Sequence, residues 1–150
     1  VGKDGDPALM CQLYQTSLGE DCTPIHDALR VCRILYERGY KLSIITNGRS
    51  TTQHSRLSHS ELTTMISDLF ISEELGCQKP KKEFFDVVLS KLQIPTSKAL
   101  VIGDSLTSDI IGGIQYGIDT CWFNPKEAVN TMLQKPTYEI KQLNELLSIL

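Results

Sequence analysis

Apolar positions fall into short solid runs separated by amphipathic stretches. KLSIIT (41–46), DLFIS (68–72), ALVIG (99–103) and DTCWF (119–123) are brief and rich in β-branched or aromatic residues, which predicts four strands. Helical spacing governs most of the rest. Leu9, Met10, Leu13, Tyr14 and Leu18 predict a helix over 7–18, with Asp6 as N-cap and Pro7 in its first turn. Thr23-Pro24 predicts a second helix start, running through Ala28, Leu29, Cys32 and Leu35 to a stop at Gly39. A polar helix is expected over 50–62. Another is expected over 83–92, turning Phe84, Val87, Val88 and Leu92 inward, and another over 105–117, closed by Gly117. Two weaker helices are expected near 126–133 and 139–149.

Strands alternate with helices, and the strands are apolar on both faces. That pattern predicts an α/β fold: an open parallel sheet with right-handed crossovers and flanking helices. Ligands of such sheets bind at the carboxyl ends of the strands. Thr46, Asn47, Lys79 and Asp104 are the polar residues this placement gathers into one crevice.

Composition narrows the class. The 150 residues are 41% hydrophobic and 22% charged with net charge −3, a globular domain without a basic face for nucleic acid. No apolar run approaches the ~20 residues of a membrane span. The five cysteines are odd in number and lack a C-x-x-C pair, which argues against a disulfide framework or zinc site and for a reducing, cytoplasmic setting.

Thr46-Asn47-Gly48 leaves a strand and enters a helix. A hydroxyl, an amide and backbone N–H groups there form an anion cradle, and Gly48 lets a ligand come close to the main chain. An ordinary capped turn is the competing reading. Lys79 offers an ammonium for a phosphate oxygen, although lysines are more often solvated. Asp104, ending a strand beside a phosphate cradle, suits Mg²⁺, which takes one or two carboxylates plus waters and phosphate oxygens. An N-cap is the plainer role for Asp104. Asp109 is placed to accept from Lys79 or a metal-bound water, or merely to cap.

IITNG, KPKKEFFD and VIGDSLTSDIIGG, in this order, resemble the second, third and fourth motifs of the haloacid dehalogenase-like (HAD) hydrolases, over about residues 20–125. ISEELGCQKP, GDSLTSDI and GIDTCWFNP are similar to the bacterial pyrimidine 5′-nucleotidase branch, which also removes noncanonical nucleotides. The resemblance implies a Rossmann-like core and a Mg²⁺-dependent phosphatase working through an aspartyl-phosphate. In that scheme Thr46, Asn47 and Gly48 hold the phosphoryl group. Lys79 neutralises charge, Asp104 ligates Mg²⁺, and Asp109 positions Lys79 or a metal-bound water. The substrate implied is a small phosphorylated metabolite such as a nucleoside monophosphate, with no nucleic acid polymer and no membrane as partner.

The family's first motif, an apolar strand ending in D-x-D-x-[TV], has one counterpart here, Asp4-Gly5-Asp6-Pro7-Ala8. Only three residues precede it, too few for a core strand, and Ala8 replaces Thr or Val. The expectation is therefore a chain lacking the nucleophile, the usual first central strand and most of the helical cap. Residues 1–19 would be a cap remnant and 20–150 the core. The strands ending at Thr46 and Asp104 are expected to pair directly or to share a strand with another copy. Lys81-Lys82 stand where the family often has Asp-Pro, and Glu61 where Gly often closes a helix. Two rivals compete: a non-catalytic phosphate-binding or interaction module on this scaffold, and a response-regulator receiver, whose acids would precede its Thr and Lys.

Overall fold

The computed structural model describes Met10 and residues 23–150. Its helices are α1 (Ala28–Glu37), α2 (Ser50–Ser58), α3 (Ser72–Leu75), α4 (Lys82–Leu92), α5 (Ile111–Tyr116) and α6 (Leu146–Ile149). Its strands are β1 (Leu42–Thr46), β2 (Ile66–Ile71), β3 (Leu100–Gly103), β4 (Asp119–Phe123) and β5 (Tyr138–Ile140). All ladders are parallel, and they form two separate sheets: β1-β2 and β3-β4-β5. The α/β class with parallel pairing and flanking helices is as expected. The strands ending at Thr46 and Asp104 do not pair with each other, and among the described residues each has a ladder on one edge only.

Two cores lie on opposite faces. One joins Phe84, Phe85, Val88 and Leu89 of α4 to Phe70 and Val101. The other joins Val31 and Leu35 of α1 to Cys121, Ile140 and Leu146. Val101 belongs to the first core and Leu100 packs on the second, the alternation a strand imposes on adjacent side chains. Gly113 of α5 allows close helix–sheet contact, since a Cβ there would stand 2.5 Å from Thr120 Cγ2.

Several expectations change. The 7–18 helix lies outside the described residues except for Met10, which is helical. The helix predicted from Pro24 starts at Ala28, because Asp27 takes a left-handed conformation at φ 65° and Ala28 N–H closes a turn on Ile25 O. The 50–62 helix breaks after Ser58 into a 3₁₀ turn over Glu61–Thr64. The inward stripe of α4 is Phe84, Phe85, Val88 and Leu89, while Val87 is exposed. The helix at 105–117 opens on a π-helical turn, Leu106–Ile110, and ends at Gly117, φ 79°. No helix forms at 126–133. Asn124 instead holds that loop, accepting from Ala128 N–H at 2.8 Å and donating to Ala128 O at 2.9 Å. The segment expected to be helical from 139 begins as β5 and turns helical only at Leu143.

Gly113→Ala forces Thr120 or α5 to shift. We expect a loss of about 1–3 kcal/mol, read from urea unfolding midpoints at unchanged slope.

Candidate active site

β1 delivers Thr46, Asn47 and Gly48 to its carboxyl end, and β3 delivers Gly103 and Asp104 to the same end of the second sheet. Lys79 sits in the stretch between α3 and α4, next to Pro80. Asp109 sits in the turn after β3. Lys79 brings the two sets together.

Lys79 is 7% exposed, unusual for a lysine, and its charge is compensated on both sides. Its Nζ donates to Asp109 Oδ1 at 2.7 Å and to Ile45 O at 2.8 Å. Asp109, also 7% exposed, spends its other oxygen on Ser105 N–H at 3.2 Å. Gly103 makes room for this carboxylate, since a Cβ there would stand 2.5 Å from Asp109 Cβ. Asn47 holds the other end of the lysine. Its Nδ2 donates to Lys79 O at 2.8 Å, and its Oδ1 accepts from Lys79 N–H at 2.9 Å. Lys79 is thus fixed at backbone and ammonium alike.

The remaining residues are less engaged. Asp104 is exposed; its main-chain oxygen accepts from Trp122 Nε1 at 3.1 Å, and among the described residues no hydrogen bond or ion pair reaches its carboxylate. Thr46 is half-buried with a hydroxyl in the same position. Gly48 has no positive φ, and a Cβ there would meet the Gln53 side chain at 2.7 Å. Behind the crevice, Ser50 N–H donates to Glu73 Oε2 at 2.7 Å, and Glu74 accepts from Ser50 Oγ and pairs with His54. This ties the first turn of α2 to α3, and the Ser50 and His54 bonds hold the Glu74 carboxyl below its usual range.

The crevice therefore offers one fixed ammonium, a hydroxyl, a turn of backbone N–H groups and one unpaired carboxylate. That set suits an anion accompanied by a hard cation. No cluster of three or more metal-binding side chains occurs among the described residues. Sequence reasoning missed Gly103, Ser105 and the Ile45 carbonyl. The compact Gly-Asp-Ser spacing before Asp109 was the available signal for the first two.

Fold and polar residues together define an α/β core with its candidate site at the carboxyl ends of parallel strands. Residues 3–123 match the haloacid dehalogenase-like hydrolase family model, and the chain belongs to that family. It is 43% identical over 150 residues to the HAD-hydrolase YfnB of Bacillus subtilis, matching 99% of this chain and 63% of that protein. It is 37% identical over 150 residues to the pyrimidine 5′-nucleotidase PynA of Streptococcus pneumoniae, again matching 99% of this chain and 63% of that protein. A crystal structure of YfnB bound to magnesium superposes with a TM-score of 0.91 over 99% of this chain and 65% of that one. The chain thus spans less than two thirds of these relatives.

Asn47→Ala leaves the Lys79 N–H and C=O without their partners. We expect a stability loss of about 1–3 kcal/mol by urea unfolding and faster hydrogen exchange at the Lys79 amide, with Asn47→Asp intermediate.

Proposed function

We propose that this site is the phosphate- and Mg²⁺-binding side of a phosphoric monoester hydrolase, and that the phosphoryl group belongs to a small metabolite such as a pyrimidine nucleoside monophosphate. The observation that carries the reading is the buried Lys79 ammonium, doubly anchored by Ile45 O at the end of β1 and by Asp109 in the turn after β3. Asp109 and Ile45 O keep the ammonium in place, so little reorganisation is needed when a phosphate dianion arrives. The Thr46 hydroxyl and the backbone N–H groups of the Asn47–Gly48 turn donate to the remaining phosphoryl oxygens. The Asn47 side chain acts through Lys79 instead of on the phosphate. Asp104 would hold the metal, whose charge favours the developing negative charge on the phosphoryl oxygens. The nucleotide assignment rests on likeness to PynA and to the pyrimidine 5′-nucleotidase YjjG of Escherichia coli, 35% identical over 146 residues.

The 150-residue chain is proposed to bind phosphate without turning it over; Asp4 and Asp6, the counterpart of the family's first motif, lie outside the described residues. Calorimetric titration with inorganic phosphate in the presence of Mg²⁺ tests this. Asp104→Asn and Thr46→Val should each weaken binding about ten- to a hundredfold, the range for losing one charge-assisted contact. Binding unchanged by both substitutions would refute the assignment of the site. Mg²⁺-dependent hydrolysis of p-nitrophenyl phosphate that disappears in Asp4→Asn would refute the absence of turnover.

A further inference from the structure

β3 ends at Gly103, whose ladder partner on β4 is Trp122. The ladder stops at that pair, yet the next main-chain oxygen is still engaged. The Trp122 indole Nε1–H donates to Asp104 O at 3.1 Å, so a side chain supplies the donor that one more rung of the ladder would have supplied. Trp122 is buried, and a buried indole N–H needs a partner. Which partner it takes matters here, because Asp104 O and Ser105 N–H belong to one peptide group. The N–H end of that group donates to Asp109 Oδ2 at 3.2 Å. One planar unit is therefore held at both ends, which restrains the soft dihedrals on either side of it. Both aspartates of the site depend on this peptide. The Asp104 carboxylate has no hydrogen bond or ion pair among the described residues, so its placement follows from the main chain that carries it. Asp109 leans on the Ser105 N–H with one oxygen and holds Lys79 Nζ at 2.7 Å with the other.

We infer that Trp122 is a positioning residue of the phosphate site. Its indole N–H sets the Asp104–Ser105 peptide, and through that peptide the direction of the Asp104 carboxylate and the seat of the Lys79–Asp109 pair. Its expected effect on phosphate binding rests on the reading given under Proposed function; its effect on the peptide does not. Packing alone would be met by any large apolar side chain. The N–H adds a directional bond, and that bond ends on the backbone of the turn that carries both aspartates. Trp122 acts from the neighbouring strand and through the peptide, without a role in the chemistry. The pre-formed geometry of a site depends on such supporting contacts as much as on the groups that face the ligand.

Trp122 is the protein's single tryptophan, so biosynthetic replacement changes this position alone. The decisive variant carries benzothienylalanine, which keeps the shape of the ring and puts sulfur where the N–H stands. Fluorotryptophan, which keeps the N–H, is the rescue. In the 150-residue chain the benzothienyl variant should exchange its Ser105 amide about five- to tenfold faster, the size of one lost hydrogen bond, while the amides of the β3–β4 ladder keep their rates. Inorganic phosphate, titrated calorimetrically with Mg²⁺ present, should bind it about five- to tenfold more weakly. Fluorotryptophan should leave both values as in the wild type, and Trp122→Phe should move both in the same direction as benzothienylalanine. Unchanged Ser105 exchange in the benzothienyl variant overturns the inference, as does faster exchange with undiminished phosphate binding. Equal acceleration at the ladder amides also overturns it, since that marks a general loss of stability. A wild-type chain that binds no phosphate overturns the phosphatase reading instead, and the Ser105 exchange rates then decide alone whether the indole sets this peptide.

Discussion

Lys79 joins two sheets that, among the described residues, share no backbone ladder. Its Nζ takes Ile45 O from the first sheet and the Asp109 carboxylate from the turn that follows β3 in the second. A buried ion pair is by itself weak evidence for stability, since desolvation offsets much of the Coulomb gain. What it supplies here is geometry. Its immediate neighbours are positioned relative to this lysine. Asn47 grips its backbone, Gly103 leaves room for its counter-ion, and Ser105 N–H holds the carboxylate's other oxygen.

The same constraint separates structural from chemical roles. Asp109 has both oxygens committed, to Lys79 and to Ser105, so it orients the ammonium. Asp104, five residues earlier and exposed, has no partner for its carboxylate among the described residues. Two aspartates of one short motif thus differ in burial and in engagement.

Much of this arrangement was legible in the sequence, and what was not has physical causes. Apolar β-branched runs located β1 to β4, and the strand-end rule pointed to Thr46, Lys79 and Asp104, of which Lys79 is joined to the end of β1 through Ile45 O and Asn47. β5 escaped because three residues carry almost no periodicity; its place is set by pairing with β4 and by Thr120 and Thr137, whose side chains bond each other's N–H groups. The helix expected at 126–133 lost to local competition from the Asn124 side chain. The start of α1 was misplaced because Asp27 takes a left-handed conformation that no apolar spacing reveals. The Asn47 grip on Lys79 spans 32 residues and exists only once the fold brings β1 beside the start of α4. The strands' apolarity on both faces implied complete burial, whereas every residue of β1 is only half-buried.

A double-mutant cycle on Lys79→Met and Asp109→Leu measures the central claim most directly. Each single substitution strands a buried charge, so each should cost about 3–5 kcal/mol in urea unfolding. Removing both should cost clearly less than the sum of the two, with a coupling at the upper end of the roughly 0.5–3 kcal/mol found for contacting residues. Additive losses would mean that the two side chains do not act as a pair, and would contradict the account of how the two sheets are held around this site.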